Sequence, residues 1–586
     1  MSIVCTELSF SWPDGMPVLD RLNAAFGPGR TGLIGVNGSG KSTLLRLIAS
    51  ELRPSSGSMT VTGDVGYLPQ DLTLDTGLPV ASLLGIAAAR DAIRAIENGD
   101  VSEAAFGAVG DDWDVEDRAR AWLDRLGLAH VGLDDPVGRL SGGETIMTAL
   151  TALFVRRPAV ILLDEPTNNL DLDARGRLYA AVAGWTGVMV IVSHDRELLG
   201  LVDQIADLSG ITVRMYGGNL ADYEDQRAVE QAAAERAVTT AAADLRRERH
   251  DLVSSETKQA RRDRQGRKVA DSGSLPRIVA HARKRSAQET AGRNREIHLE
   301  RIQAAATRLA EAEDAVRDDA EIRIDLPGTA VPAGRTVLTV TGLDGPWHPA
   351  RAGTYTATDV GADLGAVVGA DSGAAPGDVD DGLGVLGVLA DLVVRGPERI
   401  ALTGPNGAGK TTLLHAIAGA GAGAGAGGDG SGAEVMAGAG VEVRRQGAVG
   451  YLPQRLDILD DALTVAENTR AAAPAASVNE VRAGLAKFLF RGARADQVTG
   501  GLSGGERFRA VLAALLLAQP PPQLLLLDEP TNNLDMASVR QLSQALSCYR
   551  GALIVASHDV PFLRSIGITR WLRLDRQGRL TAIDPL

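Results

Sequence analysis

Short apolar runs alternate with segments of helical pattern towards both ends of the 586-residue chain. Residues 31–34 and 160–163 are small or apolar throughout most of their length, which is typical of strands covered on both faces of a sheet. Residues 42–50 follow the first run with apolar positions at helical spacing. This alternation predicts an α/β fold in each end region.

The middle of the chain has a different pattern. From Asp225 there is no glycine or proline before Gly266, and a second such run extends from His281 to Ala320, interrupted by Gly292. The turn-forming residues DSGSLP lie between the two runs. Because Ala, Glu, Gln, Arg and Leu favour helices, we predict two long helices joined by a turn, each reaching roughly 60 Å.

Charge also distinguishes this middle segment. The chain has a formal net charge of −14, whereas residues 246–301 contain 16 Lys and Arg against 8 Asp and Glu. A basic segment on an acidic protein is typical of a surface that binds a polyanion. The charge alone is equally consistent with a solvated pair of helices whose charged side chains serve only solubility.

Composition narrows the class of protein. No apolar run reaches the length of a membrane span, and the N-terminal residues lack the pattern of a secretory signal. Cys5 and Cys548 provide neither a disulfide framework nor a metal-ligand spacing. A cytoplasmic protein with two or more domains is expected.

Five motifs occur once in each end region, in the same order and at a nearly constant separation. They are GVNGSGKS and GPNGAGKT at 35–42 and 404–411, YLPQ at 67–70 and 451–454, LSGGE at 140–144 and 502–506, LLDEPTNNLD at 162–171 and 526–535, and SHD at 193–195 and 557–559. A constant separation indicates a duplicated domain.

The duplication divides the chain into three parts. We predict a first repeat at 1–223, a helical linker at 224–334 and a second repeat at 335–586. Within the second repeat, the Gly-rich stretches 360–389 and 419–433 are predicted to be disordered, because they lack the large apolar side chains that offset ordering entropy.

The glycine-rich motif of each repeat has the chemistry of a phosphate-binding loop. Its glycines let backbone N–H groups turn onto phosphate oxygens, and the following helix adds the positive end of its dipole. Lys41 and Lys410 are placed to reach the β- and γ-phosphates. The hydroxyl groups of Ser42 and Thr411 are placed to bind Mg²⁺.

A carboxylate pair follows an apolar strand in each repeat. Asp164 and Asp528 are candidate Mg²⁺ ligands, and Glu165 and Glu529 are candidates for orienting or deprotonating the attacking water. The alternative is a strand-end pair that only caps a loop.

The whole motif set resembles the ATP-binding cassette superfamily, over both repeats. The resemblance implies an ATPase with two P-loop cassette domains, ATP and Mg²⁺ as cofactors, and two sites, each closed by the LSGGE motif of the opposite repeat. Site one would comprise Trp12, Gly35, Asn37, Gly38, Gly40, Lys41, Ser42, Thr43, Gln70, Asp164, Glu165 and His194, closed by Ser503, Gly504 and Gly505. Site two would comprise Gly404, Asn406, Gly407, Gly409, Lys410, Thr411, Thr412, Gln454, Asp528, Glu529 and His558, closed by Ser141, Gly142 and Gly143.

The same resemblance assigns roles within these sites. Mg²⁺ would be held by Ser42, Gln70 and Asp164 in site one, and by Thr411, Gln454 and Asp528 in site two. The glutamates and the two histidines would be catalytic, the histidines through the γ-phosphate. Trp12 resembles the aromatic residue that stacks on adenine. No aromatic residue lies at the same distance before Gly404, and Trp347 is the candidate substitute.

A second departure lies in the LSGGE motifs. Glu144 is followed by Thr145-Ile146-Met147, whereas Glu506 is followed by Arg507-Phe508-Arg509. The superfamily usually carries an arginine there, so the two sites are expected to be unequal.

The basic linker, the repeated DEPTNNLD and the YGGNLADY segment at 216–223 together resemble the ABC-F subfamily, whose members bind ribosomes. Cassette DNA-repair proteins and recycling factors need zinc or iron–sulfur cysteines, which the sequence lacks. The tandem ATPase subunit of a transporter with separate membrane subunits remains the alternative.

The ABC-F resemblance implies a monomer in which the two cassettes pair within the chain. Its partner would be the ribosome, through ribosomal RNA and with tRNA as a further candidate. The ATP-bound form would bind near the tRNA exit site with the linker turn towards the peptidyl-transferase centre. Members of the subfamily modulate translation or protect ribosomes from antibiotics, and the long linker favours protection here.

Overall fold

The computed structural model describes residues 2–72, 75–209, 212–271, 277–315, 324, 326–343, 385–419, 433–435, 442–532 and 534–586. Met1–Leu220 and Glu321–Leu586 form one compact unit, and Ala221–Ala320 form a second. Most of the two Gly-rich stretches predicted to be disordered, and Trp347, lie outside the described residues. The predicted fold class, two α/β cassettes with a long helical segment between them, is confirmed.

The first repeat contains both strands and helices. The strands are β1 (Ile3–Ser11), β2 (Pro17–Phe26), β3 (Gly29–Ile34), β4 (Ser56–Val61), β5 (Val65–Leu68), β6 (Val160–Asp164), β7 (Val188–Val192), β8 (Gln204–Ser209) and β9 (Thr212–Gly217). The helices are α1 (Lys41–Ile48), α2 (Val80–Leu83), α3 (Ala87–Glu97), α4 (Glu103–Val109), α5 (Val115–Arg125), α6 (Gly142–Arg156), α7 (Leu172–Ala183) and α8 (Arg196–Leu199). Helices α2 to α6 are grouped between β5 and β6.

The linker contains the two helices that its sequence predicts. They are α9 (Leu220–Asp271) and α10 (Arg277–Ala315). The first helix continues through Gly266 to the predicted turn, because one glycine costs only about 1 kcal/mol in a helix of strong helix formers. Within the linker, the ion pair of Arg295 with Glu256, at 3.5 Å, joins the two helices.

The second repeat repeats this pattern. Its described strands are β10 (Thr336–Thr341), β11 (Val385–Val388), β12 (Leu392–Arg395), β13 (Arg399–Thr403), β14 (Ala433–Val435), β15 (Glu442–Arg445), β16 (Val449–Leu452), β17 (Leu524–Asp528), β18 (Ala552–Ala556), β19 (Arg570–Leu574) and β20 (Leu580–Ile583). Its described helices are α11 (Lys410–Ala418), α12 (Val465–Ala472), α13 (Val478–Lys487), α14 (Gly504–Leu516), α15 (Met536–Cys548) and α16 (Val560–Ser565).

Each repeat is built on one mostly parallel sheet. In the first repeat the strand order is β5-β6-β7-β3-β8-β9, with the last strand antiparallel. In the second it is β11-β20-β19-β13-β18-β17-β16. Every residue of β6 and β17 is buried, which is why these strands read as continuous apolar runs. A smaller antiparallel sheet, β2-β1-β4 or β12-β10-β15-β14, completes each repeat.

Candidate nucleotide sites

Strand order brings the repeated motifs of each repeat to one edge of its sheet. In the first repeat, β6, β7 and β3 are adjacent and parallel, so the loops at their carboxyl ends meet. These loops carry the carboxylate pair, the SHD motif and the phosphate-binding loop. The order β17, β18 and β13 does the same in the second repeat. Ligands of parallel α/β sheets bind at this edge.

The first glycine of each phosphate-binding loop is required by close backbone packing. A side chain at Gly35 would collide with the carbonyl oxygen of Leu208, and one at Gly404 with that of Leu574. Gly40 and Gly409, at φ 94° and 97°, have the left-handed conformation that glycine favours, and each immediately precedes a helix. The loop therefore turns directly into a helix N-terminus, as an anion site needs.

Both loop lysines are buried and fold back over their own loop. Lys41 Nζ donates to the carbonyl oxygens of Gly35 and Val36, at 2.8 and 3.1 Å. Lys410 Nζ donates to that of Gly404 at 2.7 Å, and lies 3.0 Å from His558 Nε2. Burial lowers the pKa of both lysines, although nearby carboxylates oppose it. Each ammonium group is thus held inside its loop.

The candidate magnesium ligands lie together in the first repeat. The hydroxyl group of Ser42 donates to Oδ1 of Asp164 at 3.1 Å, and Gln70 lines the same cavity. Burial raises the pKa of Asp164, against the hydrogen bond from Ser42 and the charge of Lys41. Hydroxyl, amide and carboxylate oxygens are the donors that Mg²⁺ prefers.

The same donor types line the cavity of the second repeat, as Thr411, Gln454 and Asp528. Asp528 is 1% exposed, and its Oδ1 atom has no hydrogen-bond partner among the described residues. Burial raises the pKa of this carboxyl. A buried oxygen of this kind is compensated by a bound cation, so the residues present fit Mg²⁺.

The two candidate catalytic glutamates share an uncommon backbone conformation. Glu165 and Glu529 have φ angles of 48° and 44°, in the left-handed region that non-glycine residues rarely adopt. The N–H group of each donates to a carbonyl oxygen of the adjacent strand, that of Val192 or Ala556, at 2.8 Å. Backbone strain of this kind is typical of functional sites. Here the hydrogen bond to the adjacent strand holds each glutamate in the strained conformation.

Burial shifts the pKa of the catalytic candidates in opposite directions. It raises the pKa of Glu165 to about 8 and that of Glu529 to about 7, although Lys41 and Lys410 oppose the shift. It lowers the pKa of His194 to about 4, and that of His558 well below its usual value. The imidazoles are thus neutral at pH 7, and the carboxyl groups have the proton affinity that suits a general base.

A cavity of about 540 Å³ in the first repeat collects most of the residues predicted for site one. Trp12 lines it together with the apolar residues Met16 and Val18, and the Trp12 ring packs edge-on against Phe10 with 5.1 Å between centroids. The other predicted residues in its lining are Asn37, Gly38, Gly40, Lys41, Ser42, Thr43, Gln70, Asp164, Glu165 and His194.

The corresponding cavity of the second repeat is smaller, about 330 Å³. No Phe, Tyr or Trp side chain is among the described residues that line it. The predicted residues in its lining are Asn406, Gly407, Gly409, Lys410, Thr411, Thr412, Gln454, Asp528, Glu529 and His558.

Each cavity is completed by the opposite repeat through the segment after the carboxylate pair. Thr531, Asn532 and Leu534 line the first cavity, and Asn169 and Leu170 line the second. A hydrogen bond between the repeats accompanies each of these contacts. Asn37 N–H donates to Asp535 Oδ2 at 3.2 Å, and the side-chain amide of Asn406 donates to the carbonyl oxygen of Asn169 at 2.7 Å.

The LSGGE motifs do not line either cavity. Ser141 and Ser503 instead cap their own helices, α6 and α14, each in a reciprocal capping box with the glutamate three residues later. Gly142, Gly143, Gly504 and Gly505 form the first turns of these helices. Closure of the sites by these motifs stays a prediction.

Sequence reasoning missed the contribution of the segment 167–171 and its counterpart 531–535, which it used only to identify the duplication and the family. It also missed Arg175, which lines both cavities. Arg175 could have been found from a difference between the two repeats. Arg175 and Val539 occupy the same position, four residues after the last aspartate of LLDEPTNNLD.

Comparison with known proteins shows what both repeats are similar to. The sequence profile of the family described as "ABC transporter" matches residues 19–168 and 390–532. The chain is 32% identical over 574 residues to the tylosin resistance ATP-binding protein TlrC of Streptomyces fradiae, covering 93% of this chain and 92% of that protein. It is 28% identical to the energy-dependent translational throttle protein EttA of Mycobacterium tuberculosis, covering 93% and 87%.

A solved structure resembles the fold at low sequence identity. The structure titled "RNase-L Inhibitor" aligns with a TM-score of 0.51 and 17% identity, covering 99% of this chain and 95% of that one. The agreement extends over both repeats and supports the fold.

Proposed function

The chain belongs to the ATP-binding cassette family, in its ABC-F branch, and we propose that it binds ribosomes with ATP bound and leaves them after hydrolysis. It is an ATPase with an ATP-binding cassette in each repeat. Membership of the branch rests on relatives that match nearly the whole chain, the tylosin resistance protein and the translational throttle protein among them.

The linker carries the ribosome proposal. Its helices have 52 and 39 residues, so at 1.5 Å per residue they extend about 78 and 58 Å. Arg249, Arg261, Arg264, Arg293 and Arg295 are exposed on them. Exposed guanidinium groups on long helices suit the phosphates of structured RNA, and a tether between two domains needs neither the length nor the charge.

The finer features of the proposal follow the ABC-F resemblance. The two cassettes pair within one polypeptide, and the ATP-bound form lies near the tRNA exit site. The linker turn then points towards the peptidyl-transferase centre, in contact with ribosomal RNA and tRNA. Such a protein works in the cytoplasm, where ribosomes are.

The residues of each site have separate roles in the proposed hydrolysis. Loop N–H groups and the buried lysine bind the β- and γ-phosphates, and bound Mg²⁺ would supply charge neutralisation on the same oxygens. Glu165 or Glu529 accepts the proton of the attacking water. The neutral histidine beside each glutamate orients the γ-phosphate. The strand contact that holds each glutamate backbone keeps the base in position without substrate.

We propose that the physiological outcome is protection of ribosomes from an antibiotic. The name of the tylosin resistance relative motivates this choice, and modulation of translation is the second outcome within the same branch. None of the helices in the described parts of the chain is apolar enough to cross a bilayer. A transporter ATPase that works with separate membrane subunits is the competing function.

Cell-free translation tests the proposal. The purified protein with ATP should restore synthesis in the presence of tylosin or another drug of the peptidyl-transferase region. The Glu165→Gln, Glu529→Gln double variant should instead inhibit translation without any drug. A protein that changes synthesis under neither condition, and that copurifies with a membrane subunit, would support the transporter function.

A further inference from the structure

Arg175 belongs to the first repeat, and its side chain contacts the second. It lies in the first turn of α7, and its side chain is 12% exposed. Its Nη1 atom donates to the carbonyl oxygen of His558 at 3.3 Å and to Asp195 Oδ2 at 3.4 Å. Its Nε atom donates to the carbonyl oxygen of Leu170 at 3.2 Å. One guanidinium group therefore joins the SHD loops of both repeats.

The second repeat has no counterpart to this arginine. Val539 occupies the same position of the repeat and lines the first cavity, where it can neither donate a hydrogen bond nor carry charge. Arg175 lines both cavities, but among the described residues its hydrogen bond to a catalytic loop of the opposite repeat is to His558 alone. Among the described residues, this arginine contact therefore has no counterpart running from the second repeat to the first.

Both loops have other anchors. In the first, Asp195 Oδ2 accepts from Tyr179 at 2.7 Å, and Asp195 Oδ1 accepts from Glu197 N–H and Leu198 N–H, both at 3.0 Å. In the second, Asp559 Oδ1 accepts from Phe562 N–H at 2.9 Å, and His558 Nε2 lies 3.2 Å from Asn406 Oδ1. The difference lies in where Arg175 donates, which is the Asp195 carboxylate in the first loop and the backbone carbonyl oxygen of the histidine itself in the second. Loss of Arg175 should therefore loosen His558 more than His194.

We propose that Arg175 is a positioning residue. Through it, hydrolysis at site two depends on the contact that the first repeat makes with the His558 loop of the second. Its guanidinium group holds the His558 backbone, and through it the imidazole beside Glu529 and Lys410. Site one has no arginine of this kind, because Val539 occupies the corresponding position. The asymmetry of the two sites is thereby built into the contact between the repeats.

The inference rests on the proposed assignment of Glu165 and Glu529, so the test uses single-site backgrounds. Glu529→Gln leaves site one to hydrolyse ATP, and Glu165→Gln leaves site two. Arg175→Met is introduced into each, since methionine keeps the alkyl stem without donors or charge. Arg177→Met, at an exposed position of the same helix, is the matched control.

We expect Arg175→Met to lower kcat at site two about tenfold with little change in KM, since a misplaced catalytic group costs rate more than binding. At site one kcat should change less than about twofold. Arg175→Lys should recover part of the loss, because it keeps a donor that reaches one carbonyl oxygen. The control should change neither site.

Three results would overturn the inference. An equal loss of kcat at both sites, or a rise in KM that matches the fall in kcat, would indicate general loosening of the structure. An unchanged kcat at site two would show that Arg175 does not position its catalytic groups. If the single Glu→Gln variants do not each remove one site's hydrolysis, the site assignment fails instead, and the two failures are thereby distinguished.

Discussion

The Nε2 atom of His194 lies 3.4 Å from Oε1 of Glu165, and the same distance separates His558 from Glu529 in the second repeat. Burial keeps each imidazole neutral at pH 7 by lowering its pKa, so the contact is polar rather than an ion pair. The histidine and the glutamate therefore lie at the same separation in both repeats.

Glutamine at both positions should stop hydrolysis and preserve ATP binding. A general base contributes about 10²–10⁴-fold to rate, whereas the phosphates are bound by the loop and its lysine. We expect phosphate release by the Glu165→Gln, Glu529→Gln variant to fall at least about 100-fold. Binding of radiolabelled ATP on filters should match the wild type. Multiple turnover at the normal rate would exclude these glutamates as the bases.

Trp12 should contribute to ATP affinity at site one only. Stacking of a base on an aromatic ring is worth about 1–3 kcal/mol, so Trp12→Ala in the Glu529→Gln background should raise KM about tenfold. Trp12→Phe keeps a ring and should stay close to wild type. In the Glu165→Gln background, which reports site two, neither change should matter. If the wild type, Trp12→Phe and Trp12→Ala have equal KM values for ATP, the tryptophan does not stack on adenine and only packs in the core.

Association with ribosomes should depend on salt through the linker. Changing Arg261, Arg262, Arg264 and Arg267 to Gln should weaken pelleting and flatten the log–log salt slope by about 0.7 to 0.9 for each phosphate that the variant no longer neutralises. Changing the same four residues to Lys keeps the charge and should preserve the slope. ATP binding should be unaffected in both variants. An unchanged slope in the Gln variant would place the RNA-binding surface elsewhere.

Phe154 should be a stability determinant of the first repeat. It is 1% exposed, stacks on Trp122 at 4.7 Å and meets Trp185 at 5.9 Å between centroids. Phe154→Ala should destabilise that repeat by about 3–5 kcal/mol. Phe106→Ala, where the ring is 44% exposed, is the control and should cost far less. Denaturant unfolding followed by tryptophan fluorescence measures both, and similar losses of stability would contradict this role for Phe154.

Sequence could predict those parts of the site that are local. The glycine-rich loop needs a short segment with left-handed glycines before a helix, so residues 35–42 indicate the loop without tertiary information. The same holds for Asp164, which ends a wholly buried strand. The linker helices are equally predictable, since α9 and α10 consist of strong helix formers over long runs.

Sequence could not predict contacts made across the repeats. Asn37 with Asp535, Asn406 with Asn169, and Arg175 with His558 each join residues that are distant in sequence. Nothing in local propensity specifies such pairs. The LSGGE motif illustrates the same limit, since its serine forms the capping box that its sequence indicates, while its approach to the opposite site depends on how the two repeats are arranged.

The most direct test is sedimentation of the Glu165→Gln, Glu529→Gln variant with purified ribosomes at low salt. With ATP, most of the protein should pellet with the ribosomes, and without nucleotide it should stay largely in the supernatant. A Lys41→Ala, Lys410→Ala variant should stay there under both conditions. If the trapped variant does not pellet with ATP even at low salt, the protein is not an ATP-gated ribosome binder.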